Sequence, residues 1–277
     1  MTYEMLGAQP LDYMPCRYGR SKLVFRGPAR DMTGRYAAFL GGTETYGKFL
    51  RQPYPALVER QLGAPCVNMG WPNSGVDVLL NDPEILHAAS RACVTVLQVP
   101  GAQNMSNRFY KVHPRRNDRF VEASAILRAM FAEVDFTEFH FTRHMLGHLA
   151  FVCPARFAVV RDELQDAWIA RMKLLLARID GPVVLLWMAS HAPEDSADAP
   201  NIAGDPAFVT RAMLRAITAH AEGFIDATTS EAALEAGSAG MVHSELEAIA
   251  ASELPGPVAH DEAAEALAPI LRKYLDA

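Results

Sequence analysis

The chain has few cysteines and no long apolar run, and each shortage excludes a class of protein. Its 277 residues contain four cysteines, and no two of them have CxxC spacing. This excludes a disulfide framework and a cysteine-rich zinc module, and we interpret the four as reduced thiols of a cytoplasmic protein. No apolar run approaches the ~18 residues that cross a bilayer, so no membrane span is predicted. The first residues do not have the pattern of a signal peptide.

Basic charge is also scarce, and it is unevenly distributed. The chain has 26 Lys and Arg against 32 Asp and Glu, a net charge of −6. Residues 1–179 carry 22 basic and 16 acidic groups, whereas residues 180–277 carry 4 and 16. The overall acidity argues against a nucleic-acid partner. The asymmetry has two interpretations, an anion site in the first part or a solvated acidic surface on the C-terminal helices.

Short apolar runs alternate with helical segments along the chain. Strands are predicted at 37–40, 66–69, 94–99, 183–187 and 224–227. Helical segments are predicted at 53–63, at 76–80 together with 83–91 as one segment, and at 120–133, 162–179, 206–220 and 261–275. Continuous apolar runs are typical of strands covered on both faces, and the alternation with helices indicates a parallel sheet. We therefore predict an α/β fold with a doubly wound, mostly parallel five-stranded sheet.

The domain organisation follows from the spacing of these elements. Residues 1–35 are irregular and are predicted to form an N-terminal arm, with a short strand at 22–25. Residues 36–277 are predicted to form a single α/β domain. More than eighty residues separate the third and fourth strands, so we expect a helical insertion at about 105–179 after the third strand.

Polar side chains follow the first predicted strand, after a double-glycine turn. The apolar run stops at Gly41 and Gly42 and opens onto Thr43, Glu44 and Thr45. Ligands bind at the carboxyl ends of the strands in open α/β sheets, which predicts a site at this turn. Glu44 is a candidate general acid or base. The alternatives are that Thr43 caps the following helix and that Glu44 is a solvated carboxylate.

Amide side chains follow the next two strands. Asn73 comes after the second strand, and Gln103 and Asn104 come after the third. Amides at these positions are suited to donate to an oxyanion or to substrate hydroxyl groups, so we predict that they line the site. The alternative is that they tie the loops by hydrogen bonds, which is a common use of Asn.

The blocks at the strand ends, in order, resemble the signature blocks of the SGNH (GDSL-type) hydrolase family. They lie at 39–45, 67–75, 99–104 and, before the last predicted helix, 257–264. The resemblance implies a flavodoxin-like doubly wound fold and an acyl-transfer site. It implies that Thr43 occupies the nucleophile position and that His260 occupies the position of the catalytic base. His260 has the alternative of being only the residue ahead of a helix.

Several residues depart from the family pattern. The family has Gly-Asp-Ser where this chain has Gly41-Gly42-Thr43, and its Gly-x-Asn-Asp block corresponds to residues 101–104, with Gln103 and Asn104 at its end. The family's acid, three residues before the histidine, corresponds to Pro257, which cannot orient an imidazole. The sequence therefore leaves it open whether the site is catalytically active.

A basic loop follows the third block. It contains Arg115, Arg116 and Arg119, whose guanidinium groups suit a phosphate, sulfate or carboxylate. We predict that they bind an anionic group of the substrate; the alternative is a surface loop paired with nearby acidic residues. His140, His144 and His148 follow helical spacing but lack the glutamate of a metalloprotease motif, so we expect no metal and no cofactor.

Together these features predict an SGNH-like esterase or O-acyltransferase. It would act on an acyl ester of a carbohydrate or another polar substrate, with an anionic group as an option. Thr43, Glu44 and His260 would be catalytic, and Thr45 would bind substrate with the amides. Two alternatives stay open: a catalytically degenerate binding or accessory protein on the same fold, and non-acyl group transfer from an anionic donor with Glu44 as base. The oligomeric state is not predicted.

Overall fold

The computed structural model describes residues 11–195, 202 and 204–276. Its strands, in chain order, are β1 (Ala37–Leu40), β2 (Cys66–Asn68), β3 (Val94–Gln98), β4 (Tyr110–His113), β5 (Arg116–Ala123), β6 (Val183–Ala189) and β7 (Gly223–Thr228). Five of them form one sheet in the order β2-β1-β3-β6-β7, and every neighbouring pair is parallel. The predicted fold class is therefore confirmed.

The order of the strands determines where the sheet offers a crevice. From β1 the chain adds β2 on one side, and β3 then pairs with the other side of β1. The connections on either side of β1 thus lead in opposite directions, and a crevice opens between the carboxyl ends of β1 and β3. This is the topological switch point at which open α/β sheets bind ligands.

Helices cover both faces of the sheet. They are α1 (Thr43–Tyr46), α2 (Tyr54–Leu62), α3 (Val76–Asn81), α4 (Pro83–Arg91), α5 (Ala125–Met130), α6 (Thr142–Val152), α7 (Pro154–Ala177), α8 (Arg211–Thr218), α9 (Glu231–Ala236), α10 (Ala248–Ser252) and α11 (Pro257–Leu275). On one face α2 and α11 pack against the sheet, and on the other α3, α4 and α7 contribute to the larger core. Gly63 ends α2 in the left-handed conformation, with φ of 66°, as helix stops often do.

The predicted helix at 120–133 is wrong in its first part. The strands β4 and β5 form an antiparallel hairpin there, and α5 begins only at Ala125. Irregularities in the register of the hairpin leave Asn117, Phe120 and Ala123 buried at intervals of three residues. A bulged strand can therefore have the apolar spacing of a helix. The segment predicted as a helical insertion holds this hairpin as well as α5, α6 and α7.

The described part of the N-terminal arm packs against the domain. Cys16 and Phe25 form an antiparallel bridge, and Phe25 is fully buried in the larger core. The Arg26 guanidinium donates to the carbonyl oxygens of Leu50 at 2.6 Å and Arg51 at 2.9 Å. These bonds hold the loop between α1 and α2. In the part of the chain that the structure describes, no helix has the length and apolar character to cross a membrane.

Candidate active-site cleft

A cleft opens at the carboxyl edge of the sheet, with about 460 Å³ of empty space that includes the solvent at its mouth. Its polar lining comes from the ends of three strands and from the loop after β6, and includes Thr43, Glu44, Asn73, Gln98, Gln103, Asn104 and Asp205. The switch point between β1 and β3 thus coincides with the cleft. Five of the residues predicted from the sequence lie here together: Thr43, Glu44, Asn73, Gln103 and Asn104.

The double-glycine turn brings β1 into α1 with little room to spare. A Cβ on Gly41 would overlap Thr45 Oγ1 and Gln98 Oε1, so only glycine fits at this position. Gly42 N–H donates to Gln98 Oε1 at 3.0 Å, and Thr45 N–H donates to the same oxygen at 3.3 Å. Thr45 is fully buried beneath the cleft and does not line it, so it supports the turn rather than contacting a ligand.

Glu44 points its half-buried carboxyl into the cleft. Gln98 Nε2 donates to Glu44 Oε2 at 2.7 Å. Burial raises the pKa of the Glu44 carboxyl, and the negative charge of Asp205 raises it further, whereas the bond from Gln98 and the charge of Arg143 act in the opposite direction. The net direction is upward. A carboxyl with a raised pKa at a cleft is suited to proton transfer near neutral pH.

The Thr43 side chain is held by the loop after β2. Asn73 N–H donates to Thr43 Oγ1 at 3.0 Å, and the Thr43 hydroxyl donates to Asn73 Oδ1 at 3.2 Å. Asn73 has a φ of 56°, in the left-handed region that Asn tolerates better than most residues. Among the side chains of residues 11–195, 202 and 204–276, no base bonds to Thr43. Its backbone N–H, at the start of α1, has no partner among the same residues.

The far wall of the cleft is an amide and a carboxylate held together. Gln103 Nε2 donates to Asp205 Oδ1 at 2.8 Å, and Arg143 Nη2 donates to Asp205 Oδ2 at 2.6 Å. Gln103 is 3% exposed, and its Oε1 has no hydrogen-bond partner among the described residues. Asn104 Oδ1 accepts from the Thr142 hydroxyl at 2.8 Å. Asn104 therefore both lines the cleft and ties its loop to α6.

His260 lies away from the cleft, which goes against the expectation that its imidazole meets the double-glycine turn. It is 1% exposed, and its Nδ1 accepts from Tyr54 N–H at 3.0 Å. Burial lowers the pKa of the imidazole to about 3, so it is neutral. The reason is the start of α11, which begins at Pro257 rather than at 261. His260 therefore lies in the first turn of the helix and faces α2 instead of ending a loop over the cleft.

The three arginines of the basic loop also lie outside the lining of the cleft. Arg115 is exposed in the turn of the hairpin, and Arg116 is exposed at the start of β5. The Arg119 guanidinium lies 4.1 Å from the centre of the Phe141 ring, so it stacks on that ring. A β-hairpin carries these side chains, and none of the three lines the cleft.

The histidine row is broken. His140 precedes α6, and only His144 and His148 lie on it, with ring centres 5.0 and 5.2 Å from that of Phe139. In the described part of the chain, no group of three or more His, Cys, Asp or Glu is arranged to hold a metal ion.

Three polar residues of the cleft, Ser74, Gln98 and Asp205, are not among the site residues predicted from the sequence. Gln98 is the last residue of β3 and lies between Leu97 and Val99 in a mostly apolar run, and the strand prediction included it as a strand residue only. Asp205 lies in a polar segment that carries no motif, and only the folded chain brings it to Gln103. A polar side chain at the carboxyl end of a buried strand is therefore the signal that would have found Gln98.

The sequence matches one family model, described as "Domain of unknown function (DUF6473)", over residues 1–275. No curated protein matches it. Among solved structures, a carbohydrate esterase family 2 enzyme with a carbohydrate binding domain from Corynascus thermopiles (Myceliophthora fergusii) is 14% identical, with a TM-score of 0.43. The similarity covers 91% of this chain and 69% of that one.

Two other solved structures have similar scores. A putative lipolytic protein of the G-D-S-L family from Desulfitobacterium hafniense DCB-2 is 10% identical, with a TM-score of 0.43 over 86% of this chain and 99% of that one. An acetyl xylan esterase (Est2A) from the rumen bacterium Butyrivibrio proteoclasticus is 11% identical, with a TM-score of 0.43 over 92% and 67%. Because the identities are 10–14% and the TM-scores are 0.43, these similarities do not establish a function, and the proposal below is based on the cleft.

Proposed function

We propose that this chain, which belongs to the DUF6473 family, is an enzyme that cleaves an acyl ester of a carbohydrate or another hydroxyl-rich substrate. The observation that carries the proposal is the Glu44 carboxyl, half-buried in an open cleft at the switch point, with a raised pKa and a fixed partner in Gln98. Perturbed carboxyls in clefts are candidates for general acid and base catalysis.

In the proposed reaction Glu44 acts on a water molecule. The ionised carboxylate accepts a proton from water as the water oxygen attacks the ester carbonyl carbon, and the carbonyl oxygen becomes an oxyanion. The backbone N–H of Thr43, which has no partner among the described residues, is the donor that we assign to that oxyanion. As the tetrahedral intermediate collapses, the carbon–oxygen bond to the alcohol breaks, and Glu44 returns its proton to the alcohol oxygen.

A covalent acyl-threonine is not part of this proposal. The Thr43 hydroxyl is bonded to Asn73, and His260 bonds to the backbone of Tyr54 instead of to Thr43. A threonine nucleophile needs a base within hydrogen-bond reach. Attack by water on the ester requires only the carboxylate that the cleft contains. An O-acyltransferase would use the same carboxylate with a substrate hydroxyl in place of water.

The lining favours a hydroxyl-rich substrate over an anionic one. Its side chains supply acceptors: the Glu44 and Asp205 carboxyls and the unpartnered Oε1 of Gln103. Sugar hydroxyls donate to such acceptors. The arginines predicted to bind an anionic group of the substrate lie outside the lining, so the proposed substrate has no anionic group. The four cysteines are free thiols, which supports the cytoplasm as the proposed compartment.

The test is hydrolysis of a chromogenic acetyl ester and of an acetylated oligosaccharide by the purified chain. Replacing Glu44→Gln keeps the size of the side chain and removes the base, and we expect the rate to fall by about 10²–10⁴-fold. The matched control is Glu122→Gln, an exposed carboxyl on β5 paired with Lys111. Equal rates of ester hydrolysis for the wild type and Glu44→Gln would contradict the proposal.

A second candidate is a binding protein without turnover. The observation that favours it is that, among the described residues, no histidine lines the cleft, since His260 bonds to Tyr54. In that case the wild type would not release acetate, yet a sugar ligand would raise its melting temperature, because a ligand that binds only the folded state stabilises it. The Glu44→Gln variant would then bind the ligand more weakly.

A further inference from the structure

The orientation of the Gln98 amide is fixed by its neighbours. Two backbone N–H groups, of Gly42 and Thr45, point at one atom of that amide, at 3.0 and 3.3 Å. A backbone N–H only donates, so that atom is the oxygen. The amide nitrogen is therefore the atom 2.7 Å from Glu44 Oε2, and it donates to the carboxyl.

The same reasoning gives a direction to a longer chain of hydrogen bonds. The Thr45 hydroxyl lies 2.6 Å from Gln98 Oε1, and an amide oxygen only accepts, so the hydroxyl donates its proton there. The Tyr54 hydroxyl, 2.8 Å from Thr45 Oγ1, must then be the donor in that contact. All donors point the same way, from Tyr54 through Thr45 and Gln98 to Glu44.

We propose that Gln98 is the positioning residue of the cleft, which locks the Glu44 carboxyl to the double-glycine turn and keeps its Oε2 a hydrogen-bond acceptor. Gln98 is 6% exposed and makes four hydrogen bonds within this cluster, so it has little freedom to reorient. The inference rests on the proposed role of Glu44 as base.

The positioning also affects the ionisation of Glu44. The charged groups that act on the carboxyl are Asp205, from the loop after β6, and Arg143, from α6, and the Tyr54 hydroxyl lies behind the chain of donors. Burial and Asp205 raise the pKa of Glu44, and donation from Gln98 lowers it. Gln98 therefore keeps the base ionised at a lower pH than burial alone would allow.

The test removes the donor without adding a charge. Gln98→Met keeps the length of the side chain and removes the amide that donates to Glu44 Oε2. We expect the titration of Glu44, followed by NMR of ¹³C-labelled glutamate carboxyls and assigned with Glu44→Gln, to move to higher pH. The acid limb of the rate profile should move with it, with KM unchanged. The matched control is Gln61→Met, at an exposed residue in the last turn of α2.

Tyr54→Phe is a second variant that keeps Gln98. It removes the first donor of the chain, and we expect a smaller shift of the Glu44 titration in the same direction. An unchanged titration in both variants would overturn the inference. The NMR readout needs no turnover, so the two proposals fail separately. If the wild type has no esterase activity but the variants shift the Glu44 titration, only the proposed function is contradicted. If the wild type is active but the variants leave the Glu44 titration and the pH–rate profile unshifted, only the proposed role of Gln98 is contradicted.

Discussion

Thr43 and Asn73 hold each other by two hydrogen bonds, one from Asn73 N–H to Thr43 Oγ1 at 3.0 Å and one from the Thr43 hydroxyl to Asn73 Oδ1 at 3.2 Å. The Thr43 hydroxyl, which the sequence resemblance places at the nucleophile position, therefore attaches the loop after β2. The two bonds tie the loop after β2 to the start of α1, and no base among the described residues bonds to the hydroxyl.

Removing the Thr43 hydroxyl is therefore expected to have a mild effect. Thr43→Val keeps the shape of the side chain and loses both bonds to Asn73, while the backbone N–H stays. We expect kcat/KM for an acetyl ester to fall by no more than about tenfold, the scale of a lost neutral hydrogen bond. Initial rates measure it, with Thr43→Ser as the conservative control. A loss as complete as that of Glu44→Gln would instead make Thr43 the nucleophile.

His260 is expected to matter for stability and not for the reaction. Its imidazole has a pKa of about 3 in the folded chain against an ordinary 6.5, so the unfolded chain binds more protons between these values. The free energy of unfolding should therefore fall as the pH drops from about 6.5 towards 3, and this contribution is fully present above 6.5.

His260→Gln tests this expectation. The amide oxygen is an acceptor for Tyr54 N–H and does not titrate, so the dependence of stability on pH should flatten in this window. Denaturant unfolding at a series of pH values measures it. Ester hydrolysis by the folded variant should stay within about twofold of the wild type, because no reacting atom contacts His260. A folded His260→Gln variant without activity would contradict this and would indicate that the imidazole takes part in the reaction.

The basic loop provides another prediction. Arg115 and Arg116 are exposed on the hairpin and do not line the cleft. The double variant Arg115→Ala with Arg116→Ala should leave KM for a neutral ester within about twofold, because neither side chain lines the cleft and exposed charges are screened by salt. Trp71 Nε1 bonds to the backbone oxygen of Arg115, so the variant keeps that contact. A large rise in KM for a carboxylate-bearing ester alone would support the original expectation of an anionic group.

The central strands were predictable because burial on both faces leaves a mostly apolar run, and β1 was found with its observed bounds. Positions next to the ends of such runs were predictable for the same reason, which is why Thr43, Glu44 and the amides were found together. The hairpin was not, because bulges gave β5 a spacing of three residues between its buried positions. The prediction for His260 differed from the structure because the side-chain direction depends on where α11 begins. The helix begins at Pro257, four residues before the predicted start, and His260 is therefore buried in its first turn instead of lying in a loop.

The most direct measurement is the pH dependence of kcat/KM for an acetylated oligosaccharide in the wild type and in Glu44→Gln. A general base works when ionised, and the pKa of Glu44 lies above its ordinary 4.5. The account predicts that the wild-type rate rises with pH through one ionisation above 4.5 and that Glu44→Gln loses both the rate and this limb. A wild type with the same profile as Glu44→Gln, or with no turnover at any pH, would contradict it.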